Sequence, residues 1–404
     1  MSAPGPDSAP ETPVDPHVDT IAVHAGREGL DELGVHALPI DLSSTNPLPD
    51  IVRGGESYEA LTGGHRAPED GSNVYGRLWN PTVARFEQAL AALEGAEDAV
   101  AFASGMAAMT ATVLALCAAT GRRHVVGVRP LYGGTDGLLA GTLLGVEHTF
   151  CHEDEVAGAI RPDTGLVVME TPANPTLELA DIAAVVAQAG EVPVVVDNTF
   201  ATPVLQNPLR HGARLSLHSA TKYIGGHGDV IAGVVACDAE TAVALRRVRT
   251  ATGGILHPLG GYLLHRGLTT LPVRMRAQQE NARRVAAFLA EHPAVARVYY
   301  PELDADARRL LGTEQSNAQL RGPGAMVSMA LTGGFAAAER FAARLRVFTH
   351  AVSLGGVDSL VQHPAAISHR HVAPEARPGA DIVRLSIGLE AADDLIADLG
   401  QALA

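Results

Sequence analysis

The stretch His218-Ser219-Ala220-Thr221-Lys222-Tyr223-Ile224-Gly225-Gly226-His227 decides how the rest of this chain is read. Lys222 is the only lysine in 404 residues; of 30 Lys and Arg in total, the other 29 are arginine. Arginine serves surface charge and ion pairs as well as lysine does, but a guanidinium keeps its proton and cannot attack a carbonyl. A lysine near other cations or in an apolar pocket becomes a neutral nucleophile. A chain that uses arginine everywhere and lysine once points to an imine at that position. The plain alternative is arginine-biased codon usage. Ser219 and Thr221 place two hydroxyls beside the amine, and Gly225-Gly226 lets the main chain come close. Both features suit a phosphate. An imine-forming lysine beside a phosphate site indicates pyridoxal 5'-phosphate (PLP).

Working outward, short apolar strands alternate with helices. A helix is predicted from Thr82, with Phe86, Leu90 and Leu93 on one face and Gly95 as C-cap. A strand at 99–102 leads through Ser104-Gly105-Met106 into an Ala-rich helix reaching about Ala119. A strand, a Ser-Gly turn and a helix N-terminus make an anion site. Further strands are read at 124–128, 166–169, 192–196, 215–218 and 230–237, with helices over 135–144 and from Asp181. This alternation predicts an α/β fold, a mostly parallel sheet with helices on both faces. Ligands of such sheets sit at the C-terminal strand ends. Gly105, Tyr132, Asn174, Asp197 and Lys222 all follow predicted strands directly. After about residue 267 come a long amphipathic helix (275–291), strands at 325–331 and 382–387 and a closing helix from Ala392, which read as a smaller α+β C-terminal domain. Residues 17–80 lack sustained periodicity, and 53–73 read as loop. An irregular segment this long is expected to be an arm that wraps another subunit. The chain thus divides into a tail and arm (1–80), a PLP-binding domain (81–267) and a C-terminal domain (268–404).

Asp197 ends a continuous apolar run, so a buried cation is its natural partner. A protonated pyridine nitrogen fits, and its protonation makes the ring an electron sink; the alternative is a helix N-cap. Tyr132, followed by Gly133-Gly134, can lay its ring on the cofactor and shuttle a proton, or be an ordinary core or surface tyrosine. Tyr75 and Arg77 are one residue apart. On an extended segment both reach one side, where a phenol and a guanidinium can hold a phosphate. Arg384 interrupts an apolar strand and needs an anion, either a substrate carboxylate or a structural salt bridge.

Net charge is −15, with no basic patch, which argues against nucleic acid and anionic membrane surfaces. No apolar run reaches the ~20 residues of a membrane span. Residues 1–16 lack a basic n-region and an apolar h-region and read as a disordered tail. Cys117, Cys151 and Cys237 form no CxxC pair and read as reduced thiols of a cytoplasmic protein. The histidines form no HExxH. His227, His363 and His369 read as local hydrogen-bonders, so no metal site is expected.

Together these motifs resemble the Cys/Met-metabolism family of PLP enzymes, which includes cystathionine γ-lyase and γ-synthase, methionine γ-lyase and homoserine-ester sulfhydrylases. The likeness runs from about Asp19 to the C-terminus. It is densest in Val196-Asp197-Asn198-Thr199-Phe200-Ala201-Thr202-Pro203 and from His218 to Asp229. The resemblance implies the PLP-dependent transferase fold (aspartate aminotransferase type I) and a homotetramer of two catalytic dimers. It implies that Lys222 forms the imine and moves protons, and that Asp197 pairs with the pyridine nitrogen. It assigns the phosphate to Gly105, Met106, Ser219 and Thr221, and ring stacking to Tyr132. Tyr75 and Arg77 would reach the phosphate of the neighbouring subunit, so that sites are shared. Asn174, Ser353 and Arg384 would bind the carboxylate of a small amino-acid substrate, with Asn174 also near the cofactor's phenolic oxygen. Two positions bear on the substrate. Cystathionine enzymes usually carry glutamate where this chain has Val352, which disfavours a distal ammonium. Methionine γ-lyases usually carry cysteine where this chain has Gly134. Arg249 is a cation that could approach the same tail. The first reading is γ-elimination from methionine to methanethiol, 2-oxobutanoate and ammonia. The alternatives are γ-elimination from cystathionine, γ-replacement on an acylated homoserine, and a PLP-binding protein without turnover.

Overall fold

The structure is a computed structural model that describes residues 16–117, 120–313, 316–370, 372–373 and 376–404. The expected tail, up to residue 15, and the expected helix end at Ala119 lie outside the described residues. Seven strands form the first sheet: β1 (Asp98–Phe102), β2 (His124–Val128), β3 (Glu147–Cys151), β4 (Thr164–Glu170), β5 (Val194–Asp197), β6 (Leu215–His218) and β7 (Gly233–Cys237). Their order is β1-β7-β6-β5-β4-β2-β3. Only β7 runs against the rest, pairing antiparallel with both β1 and β6. The expected mostly parallel sheet is therefore present, and the C-terminal ends of six strands share one edge.

Side-chain alternation in these strands feeds two cores. Leu166, Val168 and Val195 belong to one buried cluster; Val167, Met169, Val194 and Val196 belong to the other. That two-residue period is the pleat itself. Burial on both faces explains why the strands read as continuous β-branched runs. A second sheet follows: β8 (Val295–Tyr299), β9 (Met326–Leu331), β10 (Thr349–His350), β11 (Leu360–Gln362) and β12 (Ile382–Ser386), ordered β10-β11-β12-β9-β8. The long helix Leu271–Ala290 packs on β8 and β9, and the closing helix Ala392–Leu403 packs against that long helix.

Five helices precede or flank the first strands: α1 (Val18–His24), α2 (Ile51–Thr62), α3 (Pro81–Glu94), α4 (Gly105–Leu116) and α5 (Gly133–Ala140). In α3 the Asn80 side chain caps the N–H groups of Thr82 and Val83, and Gly95 takes the left-handed C-cap at φ 69°. Helix α2 corrects the reading of 53–73 as loop, since 53–62 are helical. The adjacent glycines Gly54 and Gly55 lower its propensity in the sequence. The fold offsets this with the Asp50 side chain capping Arg53 N–H at 2.8 Å, and with Ser57 and Leu61 turned inward. The helix expected over 135–144 starts two residues earlier and ends at Ala140. The strand expected from Val230 begins only at Gly233. Strands β3, β8, β10 and β11 were not foreseen; β3 is an edge strand whose Glu-His-Thr lead carries no apolar run.

The ends of β5 and β6 are tied to α3 by a buried polar cluster. Glu94 Oε1 accepts from His218 Nε2 at 2.5 Å, Ser216 Oγ at 2.9 Å and Asn198 Nδ2 at 3.2 Å. Removing Glu94 leaves three buried donors without their acceptor. Glu94→Ala is therefore expected to lower unfolding free energy by about 3 kcal/mol or more, at about 1–3 kcal/mol per donor left unpaired, read from urea titration. A loss below ~1 kcal/mol, within the range of ordinary surface changes, would contradict the cluster's structural weight.

Candidate active site

The shared strand edge opens into a cavity of about 300 Å³, lined by Ser104, Gly105, Met106, Tyr132, Asn174, Asp197, Ser219, Thr221, Lys222, Ser353 and Arg384 among others. Ten of the twelve residues singled out in the sequence thus meet around it. Tyr75 and Arg77 do not. The segment is also not extended: Leu78 N–H returns to Tyr75 O at 2.8 Å, making a turn. The Arg77 guanidinium still lies 5.7 Å from the Tyr75 ring, and its Nη1 donates to Thr250 O at 2.7 Å. Arg249 does not approach the cavity. It is buried against Glu87 Oε1 at 2.6 Å and Ala101 O at 2.9 Å. His227 and His363 bond main-chain oxygens as expected, at 2.8 Å each, and no metal-binding cluster occurs among the described residues.

Lys222 sits in the turn after β6. Its Nζ donates to Ser353 Oγ at 2.9 Å. Burial first, and the Arg384 charge second, lower its pKa to about 8, while Asp197 opposes the shift. Roughly a tenth of the amine is therefore neutral at pH 7. Ser353 takes φ 92°, in the left-handed region that serine rarely adopts. That conformation turns its hydroxyl to Lys222 and its carbonyl to Arg384 Nη2, at 3.0 Å. Arg384 is buried, with only neutral acceptors: Asn174 Oδ1 at 2.8 Å, Gln362 Oε1 at 2.5 Å and that carbonyl. Burial lowers its pKa to about 10. A buried guanidinium with no carboxylate partner among the described residues is a receptor for an incoming one.

Asp197, at the end of β5, is half-buried. Thr199 donates to its Oδ1 twice, from N–H at 3.1 Å and Oγ1 at 2.5 Å, which leaves Oδ2 for a donor in the cavity. Burial raises its pKa, as expected of a carboxylate waiting for a cation. Across the cavity, Ser104 caps α4 through Ala107 N–H at 3.1 Å. A Cβ on Gly105 would meet Ser219 Cβ at 3.0 Å, so only glycine brings the α4 N-terminus this close to Ser219. The donors of that cradle suit a phosphate. Thr221 is less free, because its hydroxyl exchanges bonds with Ala232 O and N–H at 3.1 and 3.0 Å. A reactive amine, an open carboxylate and an anion cradle around one cavity fit PLP.

Tyr132 is 40% exposed and faces the cavity. A Cβ at Gly134 would collide with the Tyr132 ring and lie 3.1 Å from Met106 Sδ. Gly134 thus answers a packing demand of this tyrosine and says little about the substrate. Val352 is 58% exposed and Ile231 70% exposed, and both line the cavity as an apolar rim. Sequence reasoning gave no role to Glu170, which also lines the cavity. It could have been found by the rule that found Asp197, since it too is a carboxylate ending an apolar strand.

The amine's environment makes a prediction for the cofactor-free protein. Modification of Lys222 by an amine reagent should rise with pH through a midpoint near pH 8. Arg384→Met should move the midpoint upward, because it removes a cation that disfavours the ammonium. A midpoint near the ordinary lysine value of ~10.4 in the unaltered protein would contradict the described environment.

Comparison with known proteins agrees with this geometry. Residues 19–404 match the family described as Cys/Met metabolism PLP-dependent enzyme. The chain is 57% identical over 388 residues to L-methionine gamma-lyase of Brevibacterium sandarakinum, covering 96% of this chain and 97% of the relative. Among solved structures, metB from Corynebacterium glutamicum superposes with a TM-score of 0.86 at 37% identity, covering 96% and 98% of the two chains. Apo CalE6, a methionine gamma lyase from Micromonospora echinospora, gives 0.82 at 38% identity, covering 96% and 99%. The chain belongs to the Cys/Met-metabolism family of PLP-dependent enzymes.

Proposed function

We propose that the chain is an L-methionine γ-lyase, a PLP-dependent carbon–sulfur lyase converting methionine and water to methanethiol, 2-oxobutanoate and ammonia. The observation that carries this choice of substrate is the apolar rim of Val352 and Ile231. This exposed rim offers a distal ammonium no anionic partner, whereas an S-methyl group gains apolar contact with valine. The 57% identity to an L-methionine gamma-lyase supports the same choice.

Bound PLP supplies an electron sink that acidifies the substrate's α- and β-hydrogens and lets the γ-sulfur leave. The chain supplies the rest. The Ser104–Gly105 turn with Met106, Ser219 and, once it releases Ala232 O, Thr221 would hold the phosphate. Asp197 Oδ2 would accept from the ring nitrogen, and the Tyr132 ring would cover one face. Arg384, with Asn174 and Ser353, would orient the substrate carboxylate. Lys222 Nζ would anchor the cofactor and would take and return protons at the substrate carbons. Its pKa of about 8 lets it do both near neutral pH. Tyr132 Oη would give a proton to the departing sulfur.

The same reading divides the chain into arm (1–80), PLP domain (81–267) and C-terminal domain (268–404). It makes a dimer the active unit, two of which form a cytoplasmic tetramer. Two observations support the dimer: Tyr75 and Arg77 line no part of their own cavity, and the arm exposes Ile51, Val52 and Leu42. No helix among the described residues is long and apolar enough to cross a membrane.

Two outcomes follow. Methionine should show a higher kcat/KM than cystathionine, and Val352→Glu should narrow the ratio by about two- to fivefold, the worth of an exposed ion pair. A wild-type preference for cystathionine would transfer the assignment to cystathionine γ-lyase. Mixing inactive Lys222→Ala and Arg77→Ala chains should restore activity, because each hybrid dimer keeps one intact site. Subunit exchange with no recovered activity would remove Arg77 from a shared site.

A further inference from the structure

Glu170 ends β4 and has no part in the chemistry above. Two other buried carboxylates have an arginine partner, Glu87 with Arg249 and Asp136 with Arg129, and Glu94 bonds the His218 ring. Glu170 has no ion-pair partner among the described residues, although it is buried. Its two oxygens accept main-chain N–H groups, Oε2 from Tyr132 at 2.5 Å and Oε1 from Asn174 at 3.0 Å. Those groups belong to two separate loops, one following β2 and one following β4, which are neighbours in the sheet. Asn174 Oδ1 in turn receives Arg384 Nη1 at 2.8 Å. The β4–β5 register sets Glu170 opposite Asp197. Burial and the Asp197 charge push the Glu170 pKa well up, and the two N–H bonds and Arg384 hold it down. A hydroxyl or an amide could satisfy one N–H more cheaply. Only a group with two acceptor oxygens and no obligatory donor takes both.

We propose that Glu170 is a positioning residue that fixes Tyr132 and Asn174, and through Asn174 the Arg384 guanidinium, in one arrangement around the amino-acid substrate. The inference rests on the roles of Tyr132, Asn174 and Arg384 set out above. Glu170→Gln keeps the shape but turns one oxygen into an NH2 that faces an N–H, so one loop must move.

The test uses PLP-loaded wild type, Glu170→Gln, Tyr132→Phe and the double variant. In Glu170→Gln, KM for methionine should rise and kcat fall, each by about tenfold, the scale of a lost hydrogen bond to a charged group. The visible circular-dichroism band of bound PLP should change, because the Tyr132 ring has moved. In the Tyr132→Phe background the substitution should cost much less kcat, since part of its effect passes through that phenol. A purely structural role would lower Tm, leave KM and the band unchanged and multiply independently with Tyr132→Phe; that result overturns the inference. If Glu170→Gln does not accumulate, Glu170→Asp carries the same readouts, since it keeps both acceptors at shorter reach. Glu170→Asp indistinguishable from wild type in KM and band would overturn it equally. Methionine turnover by wild type tests the functional reading separately, while the variant-to-wild-type ratios test Glu170.

Discussion

Everything at this site answers one constraint: a lysine amine is held out of water beside a guanidinium. Burial and Arg384 both act against the ammonium, and the pKa falls to about 8. Arg384 can stand there uncompensated by a carboxylate because Asn174, Gln362 and Ser353 give it three neutral acceptors. Ser353 accepts from both cations only by adopting a backbone conformation that serine rarely takes. Asp197 and Glu170 sit opposite each other at the ends of two parallel strands, and both line the cavity that holds Lys222 and Arg384.

The sheet makes this arrangement possible. Because only β7 is reversed, the loops after β1, β2, β4, β5 and β6 all emerge at one edge. The second sheet contributes the opposite wall through Arg384 on β12 and Ser353 just after β10. The cavity therefore lies where two sheets meet, and its residues come from positions as far apart in the chain as Ser104 and Arg384.

Much of this was legible because a charge inside or at the end of an apolar strand is costly, and so needs a purpose. Asp197 and Arg384 announce themselves in that way, and Lys222 does so as the chain's single lysine. Glu170 carries the same signal, but its partners are main-chain N–H groups, which no residue pattern reveals. Helix α2 was hidden by Gly54-Gly55, since its stability comes from the Asp50 cap and inward packing more than from propensity. Strand β3 was hidden because an edge strand need not be apolar on both faces. The turn at Gly76–Leu78 was invisible from spacing, yet it leaves Arg77 beside Tyr75 as an extended segment would have done. The two substrate signals that conflicted in sequence separate in space. Val352 faces the cavity mouth, while Gly134 makes room for the Tyr132 ring.

The most direct measurement is borohydride reduction of the yellow holoenzyme followed by peptide mass mapping. The account predicts a reduced PLP adduct on the peptide containing Lys222, with one adduct per chain and loss of the visible band. PLP that remains bound but leaves the Lys222 peptide unlabelled after reduction would contradict it.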